Sequence, residues 1–418
     1  MENKPELPLG WKWVRLGEVC EKIQYGLTAT ATDNKDGFPF IRITDIDDLG
    51  NIKLESMRYT YCDEEIFRKY ELKENDILFA RTGSIGRTFL YNGIPSKAIF
   101  ASYLIRFRPK KDIVDPLLLF YYSHSPSYFK FIGEKKHTVS QPNINAEEYK
   151  SLPIPLPPFP EQKRIAAKLQ EMMQEIDQAR TACEKQLEAA KSLPSAYLRE
   201  VFENPEAKKW ERKKLGEVIK STQSGTWGDE PFEAPKEEVY IVIRSTEIDH
   251  KGVISIKDEK VAQRRVKPET ARKYFLKPND LLVVRSGGTT GKIILGRVGI
   301  YLGEPDKYLF SNFLLKAQVD EKLALPEFLW RYLNWNKFLE ENIPNLMRRT
   351  TGIQNLPMDE YFSILIPLPP LLEQKRIASY LKEKIDQAEK LRASIEKQLE
   401  IINALPQAIL SKAFKGEI

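Results

Sequence analysis

Gly287-Gly288-Thr289-Thr290-Gly291-Lys292 has the composition of a phosphate-binding loop. Only three residues separate Gly287 from Gly291, however, and Ile293 stands where Mg²⁺ would need a Ser or Thr. The segment reads as a turn. No Gly-x-Gly-x-x-Gly occurs, so the dinucleotide fingerprint is absent. Leu156-Pro157-Pro158-Phe159 has the outline of the Asn/Asp-Pro-Pro-Tyr/Phe loop that grips a target amino group in methyl transfer. Leucine cannot hydrogen-bond an amine, and Leu368 stands at the same place in a second copy, so both loops read as structural. The histidines (His124, His137, His250) are too few and scattered for a metal cluster. Cys20, Cys62 and Cys183 form no CxxC pair, which argues against a zinc site or a disulfide framework. No acidic pair followed by lysine stands out as a nuclease centre. No metal, no cofactor and no catalytic residue is therefore expected, and the remaining chemistry is binding.

Cation–hydroxyl–glycine clusters carry that chemistry. Arg81-Thr82-Gly83-Ser84-Ile85-Gly86-Arg87 corresponds to Arg285-Ser286-Gly287-Gly288-Thr289-Thr290-Gly291-Lys292. Arg reads guanine with two donors, while Ser, Thr and backbone N–H grip phosphate. The candidate DNA contacts are thus Arg81, Thr82, Ser84, Arg87, Arg285, Ser286, Thr289, Thr290 and Lys292. The alternative is a hairpin turn with solvated cations. Retention in both halves favours structural or phosphate duty over base reading. Lys135, Lys136 and His137 correspond to Arg348 and Arg349, with ordinary surface charge as the alternative. Tyr25 to Thr30 and Ser224 to Trp227 are small-residue loops that could approach DNA closely.

These clusters recur because the chain repeats itself. Glu161-Gln162-Lys163-Arg164-Ile165-Ala166 returns unchanged as Glu373 to Ala378, an offset of 373 − 161 = 212. Pro155-Leu156-Pro157-Pro158 returns as Pro367 to Pro370. Leu16-Gly17-Glu18-Val19, Ile41-Arg42 with Ile46, and Asn75-Asp76 recur at offsets of 199, 202 and 204. Residues 11–152 and 210–364 are rich in β-branched and aromatic residues with turn punctuation, and read as mixed strands and helices. Residues 161–203 and 373–415 are rich in Ala, Glu, Lys, Gln and Leu and read as long helices. The expected domains are 1–152, 153–206, 207–364 and 365–418, alternately globular and helical. The aromatic runs around Tyr122 and Trp330 read as helical core.

After Pro-Leu-Pro-Pro, apolar residues follow a heptad seam through Ile165, Leu169, Met172, Ile176, Ala179, Cys183, Gln186, Ala190 and Leu193. The partner seam runs through Ile377, Leu381, Lys384 (with Ile385 adjacent), Ala388, Leu391, Ile395, Gln398, Ile402 and Leu405. Gln186 and Gln398 either fix the register as buried amides or lie on a solvated edge. Pro194 and Pro406 should kink or restart each helix. Paired antiparallel, the helices form a strut of about 45 Å, which spans roughly 13 base pairs. Lys plus Arg exceeds Asp plus Glu by 65 − 59 = 6, so no polycationic tail is present and any basic surface is local. No long apolar run or secretory start occurs, which leads to the expectation of a cytoplasmic protein away from the membrane.

Taken together, the doubled Pro-Leu-Pro-Pro-x-x-Glu-Gln-Lys-Arg-Ile segments and the helices behind them resemble the specificity subunit of type I restriction–modification systems. The Leu-Gly-Glu-Val, Ile-Arg-x-x-Asp/Glu-Ile and Asn-Asp-Ile/Leu-Leu patterns of each half fit too. The resemblance covers nearly the whole chain. One departure is that the family's Gly-Thr-Pro is Gly26-Leu27-Thr28-Ala29 here and Gly225-Thr226-Trp227 in the second copy. The resemblance implies two α/β target recognition domains separated by an antiparallel two-helix coiled-coil spacer with pseudo-two-fold symmetry. It implies double-stranded DNA with a bipartite asymmetric site, two modification (methyltransferase) subunits and restriction subunits as partners, and a non-catalytic chain. The competing readings are a coiled-coil scaffold that binds proteins and a self-contained DNA methyltransferase.

Overall fold

The computed structural model describes residues 6–136, 143–232, 235–256, 261–288, 295–350 and 353–418. It divides into two units: Met1–Lys185 with Glu396–Ile418, and Gln186–Ile395. The first unit runs through β1 (Lys12–Arg15), β2 (Cys20–Tyr25), β3 (Phe38–Ile41), β4 (Arg58–Thr60), α1 (Glu64–Tyr70), β5 (Ile77–Ala80), β6 (Thr88–Leu90), β7 (Ile99–Phe100) and β8 (Leu104–Pro109). Then follow α2 (Pro116–Tyr122), α3 (Pro126–Lys136), α4 (Ala146–Lys150), β9 (Pro153–Leu156) and the start of α5 (Phe159–Phe202). The antiparallel order β2-β8-β5-β6 places β5 inside the sheet, and all four of its residues are buried, as a strand covered on both faces requires. A second sheet, β4-β3-β7, pairs β3 and β7 in parallel, and β1 pairs β9.

The second unit repeats this plan. It contains β10 (Arg212–Lys214), β11 (Ile219–Ser224), β12 (Val239–Ile243), β13 (Ala262–Arg265), α6 (Pro268–Tyr274), β14 (Leu281–Val284), β15 (Ser286–Gly288), β16 (Val298–Ile300), β17 (Leu309–Phe310) and β18 (Leu314–Val319). Next come α7 (Pro326–Leu333), α8 (Asn336–Leu346), β19 (Arg348–Thr350), β20 (Ile353–Asn355), α9 (Met358–Phe362), β21 (Leu365–Pro367) and α10 (Leu371–Ala413). Its sheets are β11-β18-β14-β16, β13-β12-β17 and β10-β21, the counterparts of the first unit's three, plus β15-β20-β19. The expected mixed α/β halves and long helices are both present. The aromatic runs fall in α2 and α7, where Tyr122, Phe328 and Trp330 are buried.

The recurring short motifs build the fold. In Ile-Arg-x-x-Asp/Glu-Ile, Arg42 donates from Nε and Nη2 to Asp45 (3.0 and 2.7 Å), and Arg244 does the same to Glu247 (3.1 and 2.6 Å). Each is a two-donor fork that closes a turn after β3 or β12. In Asn-Asp-Ile/Leu-Leu, Asn75 and Asn279 take φ of +77° and +73°, a conformation Asn tolerates better than most residues. The following aspartates are buried acceptors. Asp76 takes Nε and Nη2 of Arg108 (2.6 and 2.7 Å) with Arg106 3.7 Å away, and Asp280 faces Lys316 at 3.8 Å. Burial lowers the Arg106 guanidinium to about 10, while its bonds to Asp76 push Arg108 upward.

The long helices correct the expected seam. Gln186 and Gln398 are exposed, as are Ala179, Leu391 (48%) and Leu405 (38%), while Met172 and Leu193 are half-buried. The inward stripe instead runs 165, 169, 173, 176, 180, 183, 187, 190, 194, 197, 201. Its repeat runs 377, 381, 385, 388, 392, 395, 399, 402, 406, 409, 413. All of these positions are buried or half-buried. Each stripe advances 36 residues in ten steps, the first two of four residues and the rest alternating three and four. From Leu169 and Leu381 onward that is heptad spacing, but every second position of the seam lies one residue later than expected. Leu187 and Leu399 therefore take the places expected for the two glutamines. In the first unit Ile165 and Leu169 share a core with Leu410 and Ala413. In the second, Val201 and Phe202 share one with Ile377, Leu381 and Ile385. The start of each long helix thus packs with the end of the other, an antiparallel pairing. Both helices continue through Pro194 and Pro406 without restarting. Apolar packing on both sides of each proline offsets the roughly 3 kcal/mol that an internal proline costs.

The exposed seam glutamines have a counterpart that periodicity did not single out. Gln162 and Gln374 of the repeated Glu-Gln-Lys-Arg are buried. Gln162 accepts from Asp115 N (2.8 Å) and donates to Ile113 O (3.1 Å) and Pro157 O (2.9 Å). Gln374 accepts from Leu325 N (2.8 Å) and donates to Leu323 O (3.1 Å) and Pro369 O (2.8 Å). Each amide ties the first turn of a long helix to the loop before α2 or α7.

Candidate nucleic-acid interface

The candidate cations emerge just after β5 and β14, the central strands. Arg81 N donates to Tyr103 O (3.0 Å) and Arg285 N to Phe313 O (3.1 Å), so each arginine is pinned by its backbone to the turn before β8 or β18. The Arg81 guanidinium lies 4.8 Å from the Tyr25 ring centroid and donates through Nε to Asn143 Oδ1 (3.3 Å). Arg285 occupies the corresponding place with different neighbours. It donates to Asn312 O through Nε and Nη2 (3.1 and 2.9 Å) and to Ser224 Oγ through Nη1 (2.9 Å). Tyr25 and Ser224 correspond, as do Asn143 and Asn355. The scaffold is therefore shared while the surface chemistry around each arginine differs.

The structure separates the remaining candidates. Thr82 bridges Asn143, and Ser286 pairs with Asn355 in β20, donating to its Oδ1 at 2.7 Å. β19 brings Arg348 and Arg349 opposite Asn355 and Gln354, so Arg285-Ser286 and Arg348-Arg349 meet at one small sheet. Only the backbone of Arg348 and Arg349 is described. Gly83 and Gly86 adopt φ of +67° and +96°, which makes the Arg-Thr-Gly-Ser-Ile-Gly-Arg run a glycine-dependent turn holding Ser84 half-buried. Arg87 faces its own domain, donating to Asp48 (2.6 Å) and Ile46 O (3.1 Å). Half-buried Lys135 lies 5.8 Å from the Phe131 ring centroid. The Lys136 side chain, His137, Thr289, Thr290 and Lys292 lie outside the described residues.

The small-residue loops serve packing. A Cβ on Gly26 would lie 2.2 Å from Ala101 O, and one on Gly225 2.2 Å from Ser311 O. These glycines let the backbone press against the turn that carries Tyr103 or Phe313. That turn was not singled out from the sequence, although its 210-residue recurrence with an aromatic at both places was available there.

Cavities lie elsewhere, most of them against the long helices. One of about 480 Å³ in the first unit is lined by Phe120, His124, Met173, Asp177, Arg180 and Pro406. Within it His124 Nδ1 lies 3.0 Å from Phe120 O, and burial holds its pKa below the usual histidine range. No cluster of three or more His, Cys, Asp or Glu suited to a metal occurs among the described residues.

The model of the type I restriction modification DNA specificity domain matches residues 8–189 and again 207–400. The chain belongs to this family. It is 27% identical over 99% of its length to a protein described as the MjaX type I restriction enzyme specificity subunit of Methanocaldococcus jannaschii, covering 95% of that relative. To the EcoKI specificity subunit of Escherichia coli it is 22% identical, over 99% of this chain and 90% of the other. The fold matches the HsdS subunit from Thermoanaerobacter tengcongensis with a TM-score of 0.62, 22% identity and full coverage of both chains. It matches a chain from a structure of a type I R-M system with a TM-score of 0.71 and 22% identity, covering 99% of this chain and 100% of the other. The chain is a specificity subunit of a type I restriction–modification system, with two recognition domains and no catalytic role of its own. Such subunits bind DNA and assemble with other subunits of the system. Among the described residues no helix is long and apolar enough to cross a membrane.

Proposed function

We propose that residues 1–152 and 207–364 each read one half of a bipartite, asymmetric duplex site. The helical regions 153–206 and 365–418 dock two modification subunits, which supply the methyl-transfer chemistry, and restriction subunits join that core. The complex works in the cytoplasm. The observation that carries this reading is the pairing of Arg81-Thr82 with Arg285-Ser286. Both stand on the same backbone scaffold after a central strand, and each is surrounded by different side chains. A shared mount suits contacts made to both half-sites, such as phosphate, while differing neighbours suit two different base sequences. A site read by two unlike domains has no palindrome.

The test is equilibrium binding of the complex, purified with its partner subunits, to duplex DNA at 50 and 200 mM salt. Several phosphate contacts predict a linear fall of log K with log salt, with a slope of about −0.9 per contact. A protein-binding scaffold would show no such slope, and that result would replace the present reading.

A further inference from the structure

The recognition domains carry an aromatic side chain where folding alone gives no reason for one. Tyr103 and Phe313 occupy corresponding turns, before β8 and β18, and are 61% and 39% exposed. The turns themselves are held firmly. Tyr103 O accepts from Arg81 N, and Phe313 O accepts from Arg285 N (3.1 Å) and Ser286 N (3.3 Å). Leu104 N closes onto Ala101 O (2.9 Å) and Leu314 N onto Ser311 O (3.0 Å). Gly26 and Gly225 leave no space for a Cβ on the inner side. A rigid backbone therefore presents a large ring to solvent in both units, each time directly beside the candidate DNA-binding arginine. Neither ring belongs to the apolar clusters of its unit among the described residues.

An exposed ring on a fixed mount loses little conformational entropy when it is covered. With an arginine on the adjoining backbone, the partner that suits both groups is a polyanion with flat apolar faces. Duplex DNA offers phosphate to the arginine and a base face or thymine methyl to the ring. We propose that Tyr103 and Phe313 are base-contacting specificity residues, each laying its ring against a base of the half-site read by its own unit, with Arg81 or Arg285 on the adjoining backbone. The proposal rests on the DNA reading above and adds residues to it. The two neighbourhoods also differ: Tyr103 stands near the Arg81–Tyr25 stack, Phe313 near the Arg285–Ser224 hydrogen bond. Each ring thus belongs to a contact set of its own.

The test uses the assembled complex, the duplex motif returned by mapping its methylated positions, and two further duplexes with one half of the motif replaced. Tyr103→Ala and Phe313→Ala should each weaken cognate binding roughly 5- to 100-fold, the range found when a stacked aromatic is removed. Each should also reduce discrimination at one half only, and a different half for each variant. Tyr103→Phe should bind as the wild type does. The slope of log K against log salt should stay unchanged in the ring variants, because a ring releases no counterions, whereas Arg81→Ala should lower it by about one contact. Unchanged cognate affinity and discrimination in both alanine variants would overturn the proposal. Loss of co-purifying subunits on Tyr103→Ala would also overturn it, by placing the ring in a protein interface. Absence of salt-dependent binding by the wild-type complex is a different failure and removes the functional reading itself.

Discussion

Asp76 shows what a repeated motif can do for the fold. It sits in a repeated Asn-Asp pair, fully buried, with Arg108 forked onto it and Arg106 behind. Asp76→Asn would leave the buried Arg106 guanidinium and the half-buried Arg108 guanidinium without their counter-charge, at a cost of about 3–5 kcal/mol. Thermal unfolding should show a large loss of stability. An unchanged midpoint would mean the network is not what holds β5 to β8. The cysteines offer a second check. Cys20 is buried, and burial raises its thiol from 9.0 to about 12; Cys62 is only half-buried, although burial raises it too. At pH 8 the native protein should be alkylated first at Cys62, with Cys20 and the buried Cys183 protected until unfolding, as peptide mass mapping would show. Because the folded-state value of Cys20 is the higher one, the stability owed to its thiol form is whole below about pH 9 and is lost as the pH climbs towards 12. The arginines were legible as candidates because cation, hydroxyl and glycine recur together. Which of them face inward was not: Arg81 and Arg87 are six residues apart in one motif, yet only Arg87 forms an ion pair with an aspartate of its own domain, Asp48.

At the scale of elements, the long helices were legible in extent and pairing but not in phase. The expected and observed seams agree at Ile165, Leu169, Ile176, Cys183 and Ala190 and differ by one residue at the alternate positions, which placed Gln186 and Leu391 on a face they do not occupy. The two phases make opposite predictions. Leu169→Asp and Leu381→Asp each bury a charge at a fully covered position and should cost several kcal/mol. Leu391→Asp and Gln186→Leu alter exposed positions and should leave unfolding within about 0.5 kcal/mol of wild type. Circular dichroism melts of the four variants decide between them. If Leu391→Asp is as damaging as Leu381→Asp, the phase expected from the sequence is right and the observed stripe is wrong. The Gln162 and Gln374 ties escaped periodicity for a related reason. A buried amide at the first turn contacts loop backbone rather than a facing helix, so no spacing along the helix announces it.

For the whole molecule, the duplicated order of motifs was readable because the residues that build each fold recur, while the faces that should distinguish two half-sites differ residue by residue and leave no pattern to find. The same division suggests how a recognition domain can be exchanged. Gln162 meets its domain through two main-chain groups, at Ile113 and Asp115, and Gln374 through two more, at Leu323 and Leu325. Main-chain groups are present whatever the side chains, so a foreign domain with the same loop can be seated on this helix start. β1 joins β9 by strand pairing, with Lys12 opposite Leu156 and Arg15 opposite Pro153, and that ladder is likewise indifferent to most side chains. A chimaera whose residues 11–152 come from another family member should therefore fold and assemble. Mapping its methylated sites should show one half of the motif replaced and the other retained. Replacement of both halves would mean that the domains do not read independently; retention of both would place base recognition outside residues 11–152.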